Sequence, residues 1–258
     1  LRRPVGKSFA RQANPPQERR LEGVFGKALY GGGNPARIAA LQAGLAETVP
    51  AFTLDTQCCS GLDAIAYGAS RIAAGQADAV IAGGLESYSR APLRYRRPLE
   101  PDGSPAFYAR PPFTPWPDRD PDLIASAAAL ASECGVTRRS QEAFAVASHR
   151  KARETPAQEG EIVCVNGLAR DAFSRQRTMP VCARLPPLAG AAPNELTAAT
   201  IAVEADAAAA VLLVSENVLK RLATRFAPVR LTAACARGFD PAKPALAPIA
   251  AATALLRQ

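Results

Sequence analysis

Apolar positions change their period along this chain, and the changes mark its elements. The polar start, broken by "NPP", reads as an arm or loop to about residue 22. Val24 to Leu29, within "EGVFGKALYGGGN", forms a short run closed by glycines, the pattern of a strand ending in a turn. Asn34 and Pro35 then open a helix, the first as N-cap and the second in the first turn. That helix, Ala36 to Ala46, sets Ile38, Leu41 and Leu45 on one face. "AFTLDT", residues 51–56, is a short β-leaning run, and the next helix, Gly61 to Ala74, carries Leu62, Ile65 and Ile72 and stops at Gly75. "ADAVIAGG", residues 77–84, is continuously apolar, as strands buried on both faces of a parallel sheet are. Strand, helix, strand, helix, strand in this order predicts an α/β layer with right-handed crossovers.

The periodicity then fades. Residues 87–122 are rich in proline and arginine and predict a surface excursion. A helical hairpin follows, Asp122 to Cys134 and Ser140 to Arg153 around "GVTRR", and residues 154–196 are irregular again. "AAAAVLLVSE", 207–216, predicts a return to a buried strand, Glu216 to Ala223 a helix, "VRLTAACARG", 229–238, a further strand, and Pro248 to Arg257 a last helix. The expected organisation is an α/β domain over 1–92, an inserted loop domain over 93–205, a return to the first domain over 206–226, and the start of a second α/β half over 227–258.

Composition narrows the function classes. With 258 residues, 48% of them apolar, the chain is long enough to bury a core. No apolar run reaches the roughly 20 residues that cross a bilayer, and the start, "LRRPVGKSFARQ", lacks both a secretion-signal core and an initiator Met. A processed or truncated end of a cytoplasmic protein, with no membrane partner, is the expectation. The six cysteines, Cys58, Cys59, Cys134, Cys164, Cys182 and Cys235, form no CxxC pair and have no histidine-rich spacing, so free thiols are expected and a metal site is not. The net charge of +8 comes from scattered pairs such as Arg19–Arg20, Arg96–Arg97 and Arg138–Arg139. They form no stripe interleaved with aromatics, so no nucleic acid is expected, whereas a positive field suits a small phosphorylated ligand.

The chemistry-bearing stretch is "QCCSG", residues 57–61, where the run 51–56 turns into a helix. A helix N-terminus leaves N–H groups unpaired and carries about half a positive charge, which favours the thiolate of a cysteine placed there. Ser60 and Gly61 permit the tight turn. The cysteine nearer the strand should project and the next should tuck under the first helical turn, which favours Cys58 as the reactive thiol and Cys59 as packing. On the local pattern alone, both could equally be small buried residues. His149, the one histidine, stands in "AVASHRKA" beside Arg150 and Lys151 and is expected on the helix surface, and Cys235 in a core strand.

Residues 31–92 resemble the N-terminal half of a thiolase. The pieces Gly33-Asn34-Pro35-Ala36-Arg37, Cys58 with Ser60-Gly61, and Gly83-Gly84-Leu85-Glu86-Ser87 stand in the thiolase order and spacing. "RPVGKSF", "GVTRRSQEAFAVASHRKA", "AAAAVLLVSE" and "GFDPAKPALAPIAAATAL" extend the likeness more weakly. The resemblance implies a layered α/β/α sheet domain with an inserted loop domain, and acyl transfer on acyl-CoA or 3-ketoacyl-CoA thioesters, as in fatty acid metabolism. It implies Cys58 as the acyl-carrying nucleophile, no cofactor beyond the coenzyme A thioester as substrate, and a homodimer, a tetramer or pairing with a partner thiolase through the run 51–56. Ketoacyl synthases share the fold and a helix-capping cysteine, but "GNPAR" and "GGLES" argue against them.

The sequence also departs from the family. The Asn-Glu-Ala-Phe segment, the Gly-His-Pro histidine and the Cys-x-Gly cysteine of thiolases do not occur. Asp122 and Leu123 stand where the family has histidine and methionine, and Ala202 stands where it has the serine that lies along the pantetheine chain. Of that coenzyme A stretch Asp206 is kept. The expectations are therefore two: an incomplete portion of a thiolase, or a degenerate thiolase-like subunit with a binding or assembly role.

Overall fold

A computed structural model describes residues 21–26, 32–157, 160–224 and 227–257. The N-terminal arm, the end of the expected first strand and its glycine turn lie outside the described residues. The chain divides into two compact units, residues 1–107 with 204–232, and residues 108–203 with 233–258.

The first unit is built on a four-stranded sheet in the order β2-β1-β3-β8, with β1 Leu21–Gly26, β2 Ala51–Leu54, β3 Ala79–Glu86 and β8 Ala207–Val214. β2, β1 and β3 run parallel, with Val24 beside both Phe52 and Ala82, and β8 pairs antiparallel with β3. Helix α1 (Pro35–Gln42) joins β1 to β2, and α2 (Ser60–Ala73) joins β2 to β3. Alternate residues of the strands serve opposite faces. Val24, Val80 and Ala82 pack under Ala64, Ile65 and Ile72 of α2, while Ala79 and Ile81 pack with Leu45 and Val49 from beyond α1. This is an α/β/α layered fold.

Close approach is set by small residues. A Cβ on Gly68 would meet Leu213 Cδ1 at 2.9 Å and Val80 Cγ1 at 3.0 Å, so α2 lies directly on the sheet. The buried Glu22 of β1 accepts from Arg71 Nε of α2 at 3.0 Å, and its other oxygen accepts from Arg71 Nη2. That pair holds the guanidinium above its ordinary range, the Glu22 hydrogen bond being the largest cause.

Several elements differ from the sequence expectation: the first strand begins at Leu21 rather than Val24, the helix from Glu216 ends at Leu219 rather than Ala223, and the stretch 154–196, expected irregular, holds a helix at Met179–Ala183 and a strand at Pro187–Ala189. α1 ends at Gln42, because Gly44 takes φ +83 and Leu45 N returns to Ala40 O at 3.1 Å. It turns Ala36 and Ala40 inward and leaves Ile38 69% exposed and Leu41 exposed, so of the expected apolar stripe only Leu45, beyond the helix end, packs into the core. β8 was expected buried, yet Ala207 to Ala209 are exposed, because the strand lies at the edge of the described sheet. Residues 229–238, expected as a strand, form no regular element; Val229 is 95% exposed, and no described strand lies alongside to take up its N–H and C=O groups. Cys235, expected in the core, is half-buried in this segment.

A two-residue ladder, β4 (Tyr95–Arg96) with β5 (Ala106–Phe107), closes the excursion that follows β3. The second unit holds α3 (Leu123–Glu133), α4 (Arg138–Glu154), the short α5 (Met179–Ala183), the paired strands β6 (Pro187–Ala189) and β7 (Leu196–Thr197), and α7 (Ala247–Leu255); α6 (Glu216–Leu219) belongs to the first. Asp122 caps α3 by accepting from Ile124 N and Ala125 N, both at 2.9 Å, and Thr137 caps α4. Arg138 joins the pieces: it donates to the buried Glu142 at 2.7 Å and to the carbonyl of Leu185 at 2.8 Å. Residues 240–243 are tied on by Lys243 to Glu133 at 2.8 Å and Arg119 to Asp240 at 3.1 Å. No helix among the described residues is long and apolar enough to cross a membrane.

Candidate active site

The turn from β2 into α2 is held by a small set of polar groups. Asp55 Oδ1 accepts from Gln57 N at 2.8 Å. Ser60, 3% exposed, accepts from Thr56 N at 2.9 Å and donates to Gln57 O at 2.6 Å. Thr56 Oγ1 donates to Asp63 Oδ2, which ties the turn to the first turn of α2. Inside this clamp Gln57 takes φ +58, a left-handed conformation that a residue with a Cβ adopts at a cost of about 1–2 kcal/mol. Gln57–Cys59 form one 3-10 turn that runs straight into α2 at Ser60.

The sharp reversal carries both thiols outward: Cys58 and Cys59 are exposed. Cys58 thus stands where a projecting nucleophile would, and Cys59 does not tuck under the helix as expected. Cys59 is the N-cap residue of α2 and makes no side-chain cap hydrogen bond, and Cys58 precedes it, so both residues stand next to the helix end whose first N–H groups carry partial positive charge.

The neighbouring motifs position this turn. Asn34 Nδ2 donates to Ala51 O at 2.7 Å, Thr53 Oγ1 donates to Asn34 Oδ1 at 2.9 Å, and Arg37 donates to the carbonyls of Val49 and Glu47 at 2.6 and 2.7 Å. "GNPAR" therefore fixes α1 against β2 and the loop that leads to the cysteines. In "GGLES" the glycines serve close approach: a Cβ on Gly83 would lie 2.1 Å from Ala209 O, and one on Gly61 would meet Gly84 Cα at 3.6 Å. The start of α2 rests on β3 at that point.

Beyond β3, Ser89 N and Oγ both donate to Asp206, at 2.8 and 2.5 Å. The Ser89 hydroxyl, followed by its N–H, holds the Asp206 carboxyl below the usual carboxylate range. The kept aspartate thus joins the end of β3 to the start of β8. Tyr88 donates to Glu204, and this bond raises the phenol above its ordinary value.

Asp122, Ala202 and His149 belong to the second unit, Cys58 to the first. Asp122 spends its carboxylate on the α3 cap, and Ala202 is exposed. His149, expected on the surface, is half-buried: its ring lies 5.3 Å from that of Phe173, and Nδ1 accepts from Arg175 N at 3.4 Å. Burial, then Arg177 and Arg175, push the imidazole below its ordinary value.

Sequence reasoning named Cys58 but missed the clamp. Ser60 and Asp63, three residues apart at a helix start, are the signal that could have found part of it. The left-handed Gln57 has no such signal, since glutamine is not a residue that favours that region.

Comparison with known proteins adds the family context. The family model described as "Thiolase, N-terminal domain" matches residues 21–217. The Bacillus subtilis (strain 168) protein named "Putative acetyl-CoA C-acetyltransferase YhfS" is 36% identical over 242 residues, 91% of this chain and 62% of that protein. The Staphylococcus aureus (strain MRSA252) protein named "Putative acetyl-CoA C-acetyltransferase VraB" is 42% identical over 133 residues, 51% of this chain and 35% of its own length. The crystal structure of the Bacillus anthracis acetyl-CoA acetyltransferase superposes with a TM-score of 0.78 at 25% identity, over 97% of this chain and 68% of that one. The chain thus spans about three fifths of the length of the Bacillus subtilis relative.

Proposed function

This chain belongs to the thiolase family, and we propose that it acts in acyl transfer on coenzyme A thioesters, with Cys58 as the acyl-carrying nucleophile. The observation that carries the reading is the exposed Cys58 on a clamped turn at the start of α2. In the first half-reaction the Cys58 thiolate attacks the thioester carbonyl. A new carbon–sulfur bond forms, the old one breaks, and coenzyme A leaves as a thiolate that takes up a proton. In the second half-reaction the acyl group passes from Cys58 to the enolate carbon of a second acyl-CoA that has lost a proton. In the reverse sense the thiolate attacks the 3-keto carbon of a 3-ketoacyl-CoA, and the carbon–carbon bond breaks to release an acyl-CoA enolate that takes up a proton. Free coenzyme A then takes the acyl group from Cys58. A thiolate both attacks well and leaves well, so one sulfur serves both halves.

The proton-transfer histidine and second cysteine of the family are not among these 258 residues. In this proposal they are supplied from outside them, by further chain or by a partner thiolase in the cytoplasm. Intact-mass measurement after incubation with acetyl-CoA tests the reading. One acetyl adduct that is absent from Cys58→Ala is expected; an unmodified chain contradicts it.

A specific observation favours assembly as a second reading. β2 is an edge strand among the described residues, and Ile38 and Leu62 on the helices flanking it are 69% and 72% exposed. Exposed strand edges and apolar patches are natural pairing surfaces. Sedimentation would show a dimer or larger assembly, alone or with a full-length thiolase; a stable monomer in both cases contradicts it.

A further inference from the structure

The second unit contains a cavity of about 400 Å³ whose walls are strongly basic. One wall is the C-terminal half of α4, where Val146, Arg150, Arg153 and Glu154 fall four, seven and eight residues apart and so share a helix face. The other wall is the extended segment Arg175 to Thr178. Four guanidiniums line this space, and Glu154 is the one acid among its described lining residues.

Two of the arginines are fixed in place by packing. Arg175 and Arg177 lie over the Phe173 ring, 5.0 and 5.6 Å from its centroid, and Phe173 in turn packs on His149 of α4. Arg177 Nε is buried and finds no hydrogen-bond acceptor among the described residues. Arg150, Arg153 and Arg175 are exposed, so water screens part of their mutual repulsion, but four guanidiniums still leave a net positive field in this space. The buried Arg177 N–H without an acceptor carries a desolvation cost that an anion would relieve. The depressed His149 imidazole, to which Arg177 and Arg175 contribute after burial, reports the same positive field.

The geometry points to an anion site in this cavity that takes a small phosphate-bearing ligand, bound by Arg150, Arg153, Arg175 and Arg177. Guanidinium forks match phosphate oxygens in bidentate fashion. Convergence of several of them on one volume suits a group with oxygens in several directions better than a single carboxylate. The volume falls in the range of small-molecule sites, roughly 300–1,000 Å³. The phosphate is either a free anion or the phosphate end of a larger molecule such as coenzyme A. The site does not rest on the chemistry of Cys58.

Calorimetric titration of the 258-residue chain with inorganic pyrophosphate at constant ionic strength tests the site. Saturable binding is expected, weakened about tenfold or more by Arg177→Gln and by Arg153→Gln, as loss of a charge-assisted hydrogen bond implies. Arg221→Gln, an exposed arginine outside the cavity, should leave it unchanged. Arg153 is exposed, so its variant carries the test if Arg177→Gln loses its native circular dichroism spectrum. Displacement of pyrophosphate by coenzyme A but not by its 3′-dephospho form assigns the terminal phosphate of that molecule as the source; displacement by neither assigns a free anion. Absence of binding at about 10 mM pyrophosphate, or equal binding by all variants, overturns the site. Cys58→Ala must retain binding, which separates failure here from failure of the acyl-transfer reading.

Discussion

Replacing Ser60 with alanine removes two hydrogen bonds of the clamp on the turn before α2 and leaves the cysteines themselves untouched. The Ser60 hydroxyl makes two hydrogen bonds, from Thr56 N at 2.9 Å and to Gln57 O at 2.6 Å. At about 0.5–1.5 kcal/mol net each, the pair contributes about 1–3 kcal/mol. Thr56 and Gln57 are exposed, so water takes up the freed groups and the expected loss is the lower part of that range, about 1–2 kcal/mol. The left-handed Gln57 opposes the clamp with about 1–2 kcal/mol of strain. The two terms are comparable, so without Ser60 the turn relaxes and Cys58 loses its fixed direction. Urea unfolding followed by circular dichroism reads the stability, and peptide-resolved thiol labelling reads Cys58. The expected results are a loss of about 1–2 kcal/mol and a labelling rate changed by about tenfold, since each 1.36 kcal/mol is one decade. Gln57→Gly in the same background should recover part of the stability, because glycine carries no left-handed penalty. A Ser60→Ala chain within about 0.5 kcal/mol of the parent, with unchanged Cys58 labelling, would refute this reasoning.

Gly83→Ala should destabilise the chain by about 3 kcal/mol or more in urea unfolding, because its Cβ would fall 2.1 Å from the Ala209 carbonyl oxygen and force β8 off β3. Gly61→Ala, whose Cβ meets Gly84 Cα at 3.6 Å, should lie within about 1 kcal/mol of the parent, since the added contact is ordinary and alanine favours the helix. Acidification should weaken the fold through His149. Its folded imidazole titrates below the ordinary value of 6.5, so the folded state binds fewer protons, and this contribution is full above 6.5 and declines as pH falls below it. Thermal melts across that window should show a shallower pH slope for His149→Gln.

How legible these features were in the sequence depends on how local their causes are. β3 and α2 could be read directly, because a continuous apolar run and a glycine stop act within a few residues. The inward face of α1 could not. Hydrophobic size pointed to Ile38 and Leu41, yet close approach to the sheet admits the small Ala36 and Ala40 instead. Residues 229–238 have strand composition, but a strand needs a neighbour, and sequence pattern does not say whether one is there. At the candidate site the exposed position of Cys58 at the start of α2 agrees with the expectation of a projecting residue, whereas Cys59 is exposed too, beside the left-handed Gln57, which no local signal announces. The arginine cavity brings Arg150 and Arg153 together with Arg175 and Arg177, and such a meeting is visible only once the fold is known.

The most direct test of the central claim is peptide-level localisation of the acyl group after incubation with acetyl-CoA, comparing the parent with Cys58→Ala and Cys59→Ala. The account predicts an acetyl thioester on Cys58 in the parent and in Cys59→Ala, and none in Cys58→Ala. Acetylation confined to Cys59, or no acetylated cysteine at all, would contradict it.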